Sequence, residues 1–192
     1  MDIINSMRST NLTNQFLIAM PGLQDPNFFQ TVTYICEHNE HGAMGIVINR
    51  PLNLVLGEVL TQMSIQPCSE TIKNIPVYQG GPVHTDRGFV IHRPQEKWKS
   101  SIIVSEDLSV TTSRDILQSI AEGHGPEQSF VALGFAGWGA GQLEQELMAN
   151  AWLNGPADSS IIFKTPCEKR WEVSAALLGI DIDNISTDVG HA

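Results

Sequence analysis

The chain is short of positive charge. Its 192 residues carry 11 Lys and Arg against 21 Asp and Glu, a formal net charge of −10 with a pI near 4.9. Proteins that live on DNA, RNA or an anionic membrane draw much of their affinity from phosphate neutralisation, so this balance argues against direct nucleic-acid or membrane partners. Cysteine is scarce as well: Cys36, Cys68 and Cys167 are odd in number, far apart, and form no C-x-x-C pair. That speaks against a disulfide scaffold and for a reducing, cytoplasmic setting. No apolar run approaches the ~18 residues of a membrane helix. The opening MDIINSMRSTNLTNQ lacks the basic start and apolar stretch of a secretory signal. Also missing are a G-x-S-x-G elbow, H-E-x-x-H and a P-C-x-x-C deaminase run, so the common hydrolase, metalloprotease and deaminase templates find no support. There is no internal repeat or low-complexity tract.

What is present is an ordinary globular composition, 42% hydrophobic, long enough for one domain. Residues 1–14 are polar and aperiodic and read as a flexible N-terminus. Residues 15–179 read as a single domain and 180–192 as an acidic tail, solvated or docked on a basic partner. Phe16–Met20, Thr31–Cys36 and Met44–Ile48 are short β-rich runs separated by turn signals, the last two as a hairpin. Leu54, Leu56, Val59, Leu60 and Met63 recur at helical spacing. Strands are expected at 77–78, 88–92, 102–104 and 108–110, and Thr112-Ser-Arg-Asp115 has the form of a capping box opening a helix to Ala121. Phe130–Phe135 reads as a strand entering a glycine-rich turn. A helix is expected at 142–151, a strand at 160–163 and a last helix at 168–178. The sum is an α/β (α+β) domain: a mixed, partly antiparallel sheet with helices packed on it, hairpins first and alternating β and α later.

Four clusters carry candidate chemistry. Cys36 and His38, two apart on a strand, point to the same face, so an imidazole could activate a thiol; the alternative is a buried apolar Cys before a polar turn. No fourth ligand for a metal accompanies them and His41, so no metal or other cofactor is assigned. Asn49 and Arg50, the latter fixed by Pro51 at a strand end, could offer a fork to a carboxylate or phosphate; the alternative is a structural Arg that pairs with an acid or with the last carbonyls of a helix. Gly80 and Gly81 permit close backbone approach, with Arg87 and His92 as countercharge and Arg93, Lys97 and Lys99 nearby; the alternative is a tight turn beside solvated edge charges. Gly134 to Glu144 resembles a phosphate loop only loosely. The third glycine of G-x-G-x-x-G is replaced by Glu144, no Gly-Lys-Ser/Thr follows, and packing of Trp138 is the better reading.

Several blocks together resemble the AlgH/YqgE family of bacterial proteins. They are FLIAMPGLQDPNFFQTVTYICEHNEHGAMGIVINRP (16–51), GGPV (80–83), RGFVIH (87–92), TSRDIL (112–117) and ALGFAGWGAGQLEQEL (132–147), then NAWL and PAD. The resemblance spans nearly the whole chain and implies a mixed-sheet α/β fold in the cytoplasm. A regulatory role in alginate production named one branch of the family. It does not imply a reaction. Three functions follow for weighing: a binding or regulatory module acting through a protein partner or a small anionic ligand; an enzyme with a Cys/His/Arg cleft; and a direct transcriptional regulator. The charge and the lack of a helix-turn-helix or basic arm disfavour the last, so any transcriptional effect is expected to be indirect.

Overall fold

A computed structural model describes residues 11–95 and 98–188. The expected flexibility of residues 1–10, and the expected contributions of Glu96, Lys97 and 189–192, lie outside these residues. Strands β1 (Gln15–Ala19), β2 (Val32–Asn39) and β3 (Gly42–Val47) open the chain as antiparallel neighbours, β2 and β3 as the expected hairpin. Next come β4 (Pro51–Val55), α1 (Leu56–Gln62), α2 (Glu70–Lys73), β5 (Pro76–Gln79), β6 (Val83–His92), β7 (Ser101–Ile103), β8 (Ser109–Thr111) and α3 (Arg114–Ala121). The chain continues with β9 (Ser129–Gly139), α4 (Gln142–Met148), β10 (Trp152–Pro156), α5 (Ser159–Phe163), α6 (Arg170–Ala176) and α7 (Ile182–Asp188). The strands form one mixed sheet in the order β10-β1-β2-β3-β9-β6-β8-β7, with β5 parallel to β9 and β4 paired to β5.

Alternation sorts the core by face. Phe16 and Ile18 of β1, Tyr34 of β2 and Ile46 of β3 belong to one buried cluster, which α5, α6 and α7 cover through Ile161, Ile162, Ala175 and Ile182. Their neighbours Leu17, Ala19 and Ile35 face the other way, into a cluster with Trp138, Leu143 and Trp152. Farther along that second face, Val77, Val90 and Val131 pack under α1 and α3 through Leu56, Leu60, Ile116 and Ile120. The second face therefore carries two separate clusters. In β9 the alternation changes phase at Gly134: Phe130 and Ala132 share the first cluster, and so does Phe135. There β9 exchanges β5 for β3 along one edge, pairing Val131–Leu133 with β5 and Ala136–Gly139 with β3.

Several elements differ from expectation. Residues 51–55 form a strand before α1, because Pro51 and Val55 pair with β5. Ser160–Phe163 is helical, not extended. Asp158 accepts from Ser160 N–H as N-cap, and a four-residue apolar run has no periodicity of its own. The glycine-rich stretch after Phe135 continues as strand to Gly139 because Gly42–Gly45 pairs alongside it. Trp152–Pro156 adds an edge strand along β1. Part of the acidic end forms α7, with Ile182 buried in the core.

Candidate functional site

At the point where β9 changes partner, three backbones cross. A Cβ at Gly80 would sit 2.3 Å from the Gly134 carbonyl oxygen, and one at Gly81 (φ +155°) 2.1 Å from the Phe135 carbonyl carbon. Gly134 takes φ +78°, and its own Cβ would meet the Gly81 oxygen at 2.5 Å. Only glycine fits this crossing. The Gly80 N–H donates to Leu133 O (2.8 Å), and Gly80 O accepts from Val47 N–H (2.8 Å), so this amide is spent on the sheet.

Against the crossing lies a recess of about 30 Å³ lined by Pro26, Asn27, Val47, Arg50, Gln79, Gly81 and Pro82. Arg50 is half-buried here, and its Nη2 donates to Phe29 O (2.7 Å). No carboxylate pairs with it among the described residues. The remaining N–H groups of its planar fork make no hydrogen bond among the described residues. Asn49 holds the approach: Oδ1 accepts from Val32 N–H (2.9 Å) and Nδ2 donates to Gln30 O (2.8 Å). Arg50 and Gly81, read as separate clusters in the sequence, thus share one small concavity.

The other candidates are elsewhere. A register shift between Ile35 and Glu37 makes Cys36 a bulge, and alternation slips by one residue. Cys36 is 2% exposed in the first cluster, and its thiol pKa is pushed far up, chiefly by burial and then by Glu37. His38 turns to the opposite face. Its Nδ1 accepts from Leu12 N–H (3.0 Å) and its Nε2–H donates to Glu144 Oε1 (2.6 Å). The expected shared face of Cys36 and His38 is lost to the bulge. Arg87 is exposed on an out-of-ladder stretch of β6, its guanidinium carbon 5.6 Å from the Phe89 ring centre. His92 is fully buried: Nδ1–H donates to Arg93 O and Nε2 accepts from the Thr111 hydroxyl, each at 2.6 Å. Burial lowers its pKa despite the Arg93 bond. No group of three or more His, Cys, Asp or Glu able to hold a metal occurs among the described residues.

The profile of a family described as AlgH-like matches residues 16–183. The chain belongs to the AlgH-like family. A UPF0301 protein of Thioalkalivibrio sulfidiphilus is 61% identical to this AlgH-like chain over 184 residues, covering 96% of it and 98% of the relative. One from Nitrosococcus oceani is 52% identical over 179 residues, covering 93% and 96%. The solution structure of AlgH from Pseudomonas aeruginosa superposes with a TM-score of 0.80 at 51% identity, covering 96% of this chain and 97% of that one. A Corynebacterium diphtheriae protein, 19% identical with a TM-score of 0.71 and 91% of each chain covered, shares the fold.

Sequence reading of this AlgH-like chain missed Arg170. On α6 it is 5% exposed, donating from Nε to Thr165 O (3.1 Å) and from Nη1 to Ile48 O. Its guanidinium carbon lies 5.2 Å from the Tyr78 ring centre and 5.5 Å from that of Phe130, and no acid pairs with it among the described residues. The aromatic faces take the place of a counter-ion. By holding the Ile48 carbonyl, Arg170 fixes the backbone two residues before Arg50. Helical periodicity assigns a charged residue to the outer face, so no signal in the sequence marked it.

Proposed function

We propose that this AlgH-like chain is a binding and regulatory module whose small ligand presents an anionic group to Arg50. One observation carries the reading: a half-buried arginine, in a chain of net charge −10, that reaches a backbone carbonyl and no acid among the described residues. A recess of about 30 Å³ takes the oxygens of one carboxylate or phosphoryl group and leaves the ligand's body outside. An enzyme reading would need a nucleophile or acid–base pair near this arginine. Cys36 and His38 instead lie on opposite faces of β2, the first with a strongly raised pKa. The net charge supports an indirect route for any effect on transcription.

The test is thermal unfolding in the presence of inorganic phosphate, pyrophosphate and di- and tricarboxylic acids. A ligand at about 100 times its Kd adds about 2.7 kcal/mol, or roughly 5–10 °C for a domain of this length. The shift should vanish in Arg50→Gln and persist in Arg87→Gln. A shift that survives Arg50→Gln overturns the assignment. Silence across the panel overturns the small-anion reading and leaves a protein partner, to be sought by pull-down.

A further inference from the structure

A second cavity, of about 340 Å³, opens beside β1 and carries chemistry opposite to that of the Arg50 recess. Its apolar wall comes from Phe16 and Ile18 of β1 and from Leu178 just past α6. Further lining comes from the end of β10 and from Ala157 and Asp158 just after it, where Asp158 also caps α5. Asp107 and Asp158 line it, and no Lys, Arg or His does. Asp158 spends Oδ1 on Ser160, accepting from the backbone N–H (2.9 Å) and the hydroxyl (2.6 Å), and its other oxygen makes no bond among the described residues. Asp107 touches Arg93 at 3.5 Å and is 76% exposed, a weak pairing in water.

The second, independent observation is Ser174. This residue of α6 lines the same cavity, is 2% exposed, and its hydroxyl has no hydrogen-bond partner among the described residues. A buried hydroxyl left unpaired forfeits about 1–3 kcal/mol, which an occupant with a polar atom would restore. Two acids without a lining cation, an apolar wall and an unpaired hydroxyl together specify an occupant.

We propose that this cavity binds a small organic cation: a protonated aliphatic amine held by Asp158 and Asp107, with an apolar body and a polar atom that pairs with Ser174. The site is separate from the Arg50 recess and stands or falls without it. The apolar body replaces water along Ile18 and Leu178, and the ammonium supplies a donor to the Asp158 oxygen that Ser160 leaves open and a closer charge to Asp107 than Arg93 gives.

The experiment is titration of the full chain, followed by its amide resonances, with 6-amino-1-hexanol, hexylamine and hexanoate at millimolar concentrations. The two amines should move the resonances of Gly155, Ser159 and Ser174, and hexanoate should not. Asp158→Asn keeps the N-cap, since Asn caps as well as Asp, and should weaken amine binding about tenfold, the worth of one charged hydrogen bond. Ser174→Ala should remove the advantage of the amino alcohol over hexylamine. Equal binding of hexanoate, an unchanged affinity in Asp158→Asn, or no response to either amine would each overturn the proposal.

Discussion

A histidine's surroundings decide what it can do. His92 donates to a carbonyl and accepts from a hydroxyl while fully buried, so it is held neutral and its folded pKa lies below the unfolded value of about 6.5. Between those values the unfolded chain binds the extra proton. The contribution of His92 is therefore complete above about pH 6.5 and is lost as pH falls towards the folded value, by up to ~1.4 kcal/mol per pH unit. Urea midpoints measured from about pH 7 down to 5 should fall, and His92→Gln should flatten that limb. Glu144 behaves in the same sense at lower pH. Its own backbone N–H and then His38 hold its carboxyl below the usual range, so its contribution fades as pH falls through that lowered value. The thiols divide by exposure: Cys68 is exposed, Cys167 is half-buried with its pKa raised by burial, and Cys36 is buried. Mass spectrometry after iodoacetamide treatment near neutral pH should find Cys68 labelled first and Cys36 labelled only on unfolding.

Elements depend on contacts that a local window does not contain. The β2–β3 hairpin and the helices around 56–62, 114–121 and 170–176 were legible because periodicity and turn residues agreed within each segment. Residues 159–163 and 152–156 were not, since one depends on an N-cap outside the run and the other on pairing with β1 more than a hundred positions away. The bulge at Cys36 was equally hidden, and it alone undid the expected Cys36–His38 face. Arg50 and Gly81 were each visible as unusual residues, whereas their meeting depends on the crossing of three backbones. That crossing makes a sharp prediction. Gly81→Ala would drive a Cβ into the Phe135 backbone and should destabilise by roughly 3 kcal/mol or more, with no side chain able to give way. Gly22→Ala, with nothing within 4 Å of the added carbon, should change the unfolding midpoint little.

The molecule as a whole is a sheet with helices on one face over a continuous core and on the other over two cores. The mixed α/β class was readable from the order of segments, but the strand order was not, because strands 1 and 10 or 3 and 9 meet only in space. No helix among the described residues is long and apolar enough to cross a membrane. The overall charge predicts that pure protein gives no specific gel shift with DNA at physiological salt; a nanomolar, salt-sensitive shift would contradict this. The position of β10 has a further consequence, for synthesis. β1 lies between β2 and β10, pairing Ala19 with Trp152 and Gln15 with Pro156. On the ribosome, β1 is made early and its second neighbour late, on the order of ten seconds apart at typical translation speeds. For that interval the nascent chain shows a bare strand edge of strongly apolar residues, a target for chaperones and for neighbouring nascent copies. Stalled or truncated products that end before Trp152 should be the aggregating form of this protein.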